Sequence, residues 1–247
     1  MSSAPFSRAE VDALLGDAEV ASLSVACVRA IRDGTLEPLA EALGDGGSAS
    51  PPEARERKAA FAAAVQGLSP RLARLPGTAK LPGALAEHLA LEAERCEERG
   101  RRIVERLGEV LSLLSAEGIE AIPLKGAALV LRGEAAAGLR PMGDLDLLLA
   151  DPSRLGAAAA LLAKETAYRP LLDTPRHLVL AEEDEQVPSP AGEHAGNPLR
   201  IELHRSFRLP VLGVVLDATA ELVRGAEKVP VGFQLPSAAA TFRHLWH

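Results

Sequence analysis

A chain of 247 residues with 47% hydrophobic and 25% charged side chains has the composition of a globular protein of one large domain or two small ones, which excludes a long modular array and general disorder. Its formal charge of −7, from 27 Lys+Arg against 34 Asp+Glu, argues against broad binding to DNA or anionic membranes. Aromatic residues make up only 3%, so the core must be built from Ala, Leu and Val, and a base-stacking platform lacks its material.

Apolar residues recur at helical spacing from Arg8 to Leu43, broken near Gly16 and Gly34, and predict a set of short helices. Residues 44–52, GDGGSASPP, read as a loop. A charged helix follows from Glu53 to Gln66, then a stretch punctuated by Pro70, Pro76 and Pro82. Leu85 to Ala116 reads as one long amphipathic helix whose weak point is Gly100. These patterns divide the chain into a helical N-terminal region over 1–83 and a second domain over 84–247, with its core at about 118–210.

Beyond Gly118 the periodicity changes. Ile119 to Leu124 predicts a short strand, Lys125-Gly126 a tight turn, and Ala127 to Leu131 a helix. A loop from Gly133 to Gly143 leads into a strand from Asp144 to Leu149, and a helix follows from Pro152 to about Lys164, started by Asp151 and Pro152. Further strands are expected at Arg176–Leu180 and Leu199–Phe207, with a solvated acidic loop of Glu182, Glu183, Asp184 and Glu185 between them.

Cys27 and Cys96 lie far apart with no further ligand nearby, which points to buried free thiols in a reducing cytoplasm and to no disulfide-linked partner. The N-terminus lacks a signal-peptide pattern, and no run approaches the roughly 18 apolar residues of a membrane span. A cytoplasmic protein with no membrane association is expected. The aromatic end, Phe242 to His247, suggests a short or truncated chain with an exposed patch around Trp246.

Side chains two apart on a strand share a face, so Asp144 and Asp146 stand side by side, while Leu145 and Leu147 face the core. Two such carboxylates repel, and either one is protonated or a divalent cation compensates them; two solvated aspartates at a sheet edge are the alternative. The same alternation in Ile201-Glu202-Leu203-His204 puts Glu202 and His204 on one face. If that strand lies beside the first, three carboxylates meet, a set suited to two-metal phosphoryl transfer. Lys125 and Gly126 sit where phosphate oxygens are bound between a strand and a helix. Arg140-Pro141-Met142-Gly143, just before the aspartates, offers a second cation on a constrained loop, a solvent-exposed arginine being the alternative. His204 could orient Glu202, touch a phosphate, or be structural; His177 reads as structural.

Ile122-Pro-Leu-Lys-Gly-Ala-Ala-Leu129, Gly138-Leu-Arg-Pro-Met-Gly-Asp-Leu-Asp-Leu-Leu148 and Ile201-Glu-Leu-His204, with Arg176-His177-Leu178 before the last, resemble an uncharacterised bacterial nucleotidyltransferase family of the DNA polymerase beta-like superfamily. The resemblance covers residues 85–210 closely and the N-terminal part loosely. It implies an α+β fold, a small mixed β-sheet flanked by helices. It also implies transfer of a nucleoside monophosphate from an NTP to an acceptor with release of pyrophosphate, the acceptor being a small molecule, a tRNA or a protein. By the same resemblance Asp144, Asp146 and Glu202 would be catalytic and would hold Mg2+ or Mn2+, and Lys125, Gly126, Arg140, Gly143 and His204 would line the nucleotide site. Two positions depart from the wider pattern: Lys-Gly-Ala stands where the superfamily has Gly-Ser, and Arg205 follows the last motif where relatives carry an aromatic residue. A catalytically silent module of the same fold, binding a nucleotide or a protein, is the competing expectation.

Overall fold

The computed structural model describes residues 6–44, 50–133, 137–139, 142–183, 191–193, 197–211, 214–228 and 234–235. They fall into two compact units, one comprising Met1–Gly100, Ala137–Pro141 and Val187–Asn197, the other Arg101–Ala136, Met142–Gln186 and Pro198–His247.

The first unit is helical. It holds α1 (Arg8–Leu14), α2 (Ala18–Asp33), α3 (Glu37–Gly44), α4 (Pro52–Val65), α5 (Ser69–Leu72) and the first part of α6 (Gly83–Ala116). Local chemistry sets the boundaries. Ser7 and Glu10 form a reciprocal capping box at the start of α1, and the Asp17 carboxylate accepts from the backbone N–H groups of Glu19 and Val20 to start α2. Gly34 ends α2 at φ +70°, a conformation that costs a side-chain-bearing residue energy. Leu23, Cys27, Leu36, Phe61, Leu72 and Leu89 are buried together in its core. Burial pushes the thiols of both Cys27 and Cys96 up to about 12. Gly138 is needed for a different reason: a Cβ there would lie 2.7 Å from Glu97 Cγ and 2.8 Å from Glu97 Cα, so backbone meets backbone with no room for a side chain.

The second unit is built on a mixed five-stranded sheet of order β1-β2-β5-β4-β3, from β1 (Ala121–Pro123), β2 (Asp144–Leu149), β3 (Tyr168–Asp173), β4 (His177–Glu182) and β5 (Arg200–His204). β2 and β5 run parallel, and the other neighbours are antiparallel. Leu145, Leu147, Leu178, Leu180, Ile201 and Leu203 point to one face, where Ile103, Leu107 and Leu111 of α6 and Leu155 and Leu162 of α8 (Leu155–Glu165) complete the core. The fold is α+β, a small mixed sheet with helices packed on it, together with a helical N-terminal region. Asp151 accepts from the Ser153 N–H and starts a short 3₁₀ turn at Pro152 that leads into α8, the start signal read from the sequence.

α7 (Lys125–Leu131) follows β1, and α9 (Thr219–Arg224) follows a two-stranded hairpin of β6 (Arg208–Val211) and β7 (Val214–Asp217). Leu222 of α9 packs with Ile122, Leu124 and Leu148 in a smaller apolar cluster. A further short pair joins β8 (Glu227–Lys228) and β9 (Gln234–Leu235).

β3 is a strand that residue alternation does not predict. Its Pro170 and its almost wholly exposed pattern conceal it, and both suit the edge position it occupies. The single long helix expected over Leu85 to Ala116 is present as α6, which runs unbroken through its weak point at Gly100. Among the described residues no helix is long and apolar enough to cross a membrane. The expected patch around Trp246 lies outside the described residues, as does most of the acidic loop, Asp184 and Glu185 included.

Candidate metal and nucleotide site

The parallel pairing of β2 with β5 sets Asp146 directly opposite Glu202 and Asp144 opposite Arg200. Because side chains alternate, the leucines and Ile201 enter the core while Asp144, Asp146, Glu202 and His204 share the other face. One oxygen from each of Asp144, Asp146 and Glu202 lies within 4.8 Å of the others. The conditional step of the sequence reading, that the later strand lies beside the aspartate strand, is therefore met in the fold.

Lys125 reaches the same place by a backbone route. The Leu124 N–H donates to the Asp146 carbonyl at 2.9 Å, which locks the end of β1 onto β2. The next residue, Lys125, opens α7 at φ +47°, the only non-glycine residue with positive φ among those described. A lysine held in this region costs of order 1 to 3 kcal/mol, and such outliers concentrate at functional sites. The turn directs its side chain back to β2, with Nζ 2.6 Å from Asp146 Oδ1. His204 Nε2 lies 2.8 Å from the same oxygen and 3.5 Å from Glu202 Oε2.

Charge and burial divide the carboxylates. Asp146 is 2% exposed; burial opposes its charge, yet the hydrogen bonds from His204 and Lys125 hold its carboxyl below the usual range. Asp144 has the reverse balance. Burial and the adjacent Asp146 charge raise it, and its side chain makes no hydrogen bond or ion pair among the described residues. The His204 hydrogen bond keeps Glu202 low against partial burial. His204 is opposed by burial but held above its ordinary value by Asp146 and Glu202, and Lys125 is likewise opposed by burial and raised by Asp146.

This donor set fits a divalent cation of the hard, oxygen-seeking kind. Asp144 offers a carboxylate that makes no ion pair among the described residues, Asp146 retains Oδ2, and Glu202 stands opposite. A cation there would relieve the repulsion that raises Asp144.

The remaining expected residues are distributed unevenly. Gly126 is buried in the first turn of α7. Gly143 is exposed just before β2, where its carbonyl accepts from the Arg200 N–H at 3.2 Å; a Cβ there would meet nothing within 4 Å. Arg140 lies outside the described residues. Arg205 is tied to the Asp173 carboxylate at 2.7 Å and to the Thr174 carbonyl, which gives it a role at the β3–β4 edge.

A residue read as structural sits beside the cluster. The β4–β5 register places His177 opposite His204, their ring centroids 5.3 Å apart, on the same face as Glu202. No sequence spacing signals this, because it depends on pairing between strands more than twenty residues apart.

The model of the uncharacterised nucleotidyltransferase family matches residues 52–246. The chain belongs to this family. The match takes in every residue of the cluster, and so the nucleotidyltransferase family assignment and the gathered carboxylates concern one segment of the chain. No curated protein and no solved structure matches the chain.

Proposed function

We propose that this family member is a metal-dependent enzyme that transfers a nucleoside monophosphate from an NTP to an acceptor hydroxyl and releases pyrophosphate. The observation that carries the reading is the meeting of Asp144, Asp146 and Glu202 on one face of β2 and β5, with Lys125 aimed at the same point. In this reading the three carboxylates hold Mg2+ or Mn2+, which would polarise the α-phosphate and acidify the acceptor hydroxyl. Lys125, Gly126, Arg140 and Gly143 take up the phosphates. Glu202 accepts the hydroxyl proton or serves as a ligand, and His204 orients Asp146 and Glu202. The fold then belongs with the DNA polymerase beta-like superfamily, and the protein works in the cytoplasm. The acceptor is a small molecule, a tRNA or a protein; the charge of −7 weighs against RNA.

One observation favours a second reading. Lys125 and His204 both contact Asp146, so much of the carboxylate charge is already offset by the protein itself, as a catalytically silent nucleotide- or protein-binding module would permit. The test supplies each α-labelled NTP with Mg2+ or Mn2+ to wild-type protein and a cell extract, then separates RNA, protein and small molecules. Label in one fraction, absent with Asp144→Asn, supports transfer and names the acceptor class. Absence of transfer, with stabilisation by Mg2+ and NTP of about 2.7 kcal/mol at a hundred times the dissociation constant, supports the silent module.

A further inference from the structure

The same sheet face carries a second donor set of different chemistry. His177 and His204 are direct cross-strand partners, and Glu202 is two residues before His204 on β5. All three therefore project from one face, while their neighbours Leu178 and Leu203 enter the core. One nitrogen of each imidazole and one Glu202 oxygen lie within 4.8 Å of one another. The Glu202 side chain is 21% exposed and that of His204 13%, so the set is accessible yet partly shielded from water.

Two imidazoles and one carboxylate make a poor site for Mg2+, which favours oxygen donors, and a good one for Zn2+ and related first-row ions. The strands hold the three donors before any ion arrives, which lowers the ordering cost of binding. With His204 ligating through Nδ1, the Asp146 carboxylate at Nε2 would be the outer-shell contact that fixes the ring and raises its basicity.

We propose that His177, Glu202 and His204 form a second metal site, selective for a transition-metal dication of the Zn2+ class over Mg2+, with Glu202 shared between it and the carboxylate cluster. The set of donors stands on its own geometry; only the sharing of Glu202 rests on the nucleotidyltransferase reading. Occupancy of this site would pull Glu202 toward the two histidines and so alter how the carboxylate cluster binds its own ion. Zn2+ would then act as a regulator of the Mg2+ site, or as its permanent neighbour.

The probe is Co2+, a spectroscopically visible substitute for Zn2+, given to tag-free protein in excess Mg2+. Equilibrium dialysis and visible absorption should report one equivalent bound, with ligand-field bands of a nitrogen–oxygen site, displaced by Zn2+. His177→Ala removes an intermediate-exposure side chain at the start of β4 and should leave the melting curve cooperative while weakening Co2+ binding by about 100-fold or more, beyond the cost of losing an outer-shell contact. Asp144→Asn should retain Co2+ while losing any stabilisation by Mg2+ and NTP. Failure to bind Co2+, binding unaffected by His177→Ala, or equal loss in His177→Ala and Asp144→Asn would each overturn the proposal. None of these results depends on nucleotide transfer, and the stabilisation by Mg2+ and NTP reports separately on that reading.

Discussion

Lys125, which follows β1, and His204, on β5, converge from the two neighbours of β2 on a single oxygen, Asp146 Oδ1, at 2.6 and 2.8 Å. The two side chains arrive by different means. Lys125 is brought by its positive φ as the first residue of α7, and His204 by strand alternation on β5. Together they hold the Asp146 carboxyl below its usual range although it is almost fully buried, while burial and the Asp146 charge raise Asp144, which makes no ion pair among the described residues. The site is thus asymmetric, with one carboxylate satisfied by the protein and one available to a cation.

Lys125 should contribute to binding the triphosphate. Replacing it in Lys125→Met is expected to weaken NTP affinity by about tenfold, or about 1.4 kcal/mol. The check is titration calorimetry with each NTP in the presence of Mg2+. Unchanged affinity would confine Lys125 to its ion pair with Asp146.

The elevated proton affinity of His204 fixes the sign of a pH effect. A histidine raised in the folded state adds stability that is fully present below its unfolded value near 6.5 and is lost as pH rises through the higher folded value. With metal removed by chelator, the melting temperature of wild type should exceed that of His204→Gln by more at pH 6 than at pH 9. A gap that is constant or grows with pH would show that His204 is held neutral.

Tyr168 anchors the far edge of the sheet. Its hydroxyl donates to the Leu199 carbonyl at 2.8 Å in a fully buried setting, next to the start of β5. Tyr168→Phe should cost about 1 to 3 kcal/mol, because it leaves that carbonyl buried without a partner. Urea denaturation followed by near-ultraviolet signal tests this, and an unchanged midpoint would mean that water replaces the hydroxyl.

What the sequence made legible was local. The alternation in Asp144–Leu149, the start at Asp151-Pro152 and the long periodicity of α6 each depend on neighbours in the chain, and each appears in the fold. The meeting of Glu202 with Asp146 depends on a parallel pairing across 56 residues of separation, and residue spacing alone left it conditional. His177 was read as structural because its significance lies in cross-strand register with His204, which periodicity does not encode. Tyr168–Asp173 was missed because an edge strand need not alternate, and its proline speaks against a strand only where both edges are paired. Gly138 is a comparable case: its need for glycine comes from Glu97 on α6, forty-one residues earlier.

The most direct test of nucleotidyl transfer compares α-labelled with γ-labelled NTP, using wild type and Asp144→Asn with Mg2+ and the responsive extract fraction. The account predicts acceptor label from the α position only, labelled pyrophosphate from the γ position, and a loss of more than about 100-fold in Asp144→Asn, since even outer-shell partners of metal ligands cost up to about that much. Acceptor label from the γ position, or transfer undiminished by Asp144→Asn, would contradict it.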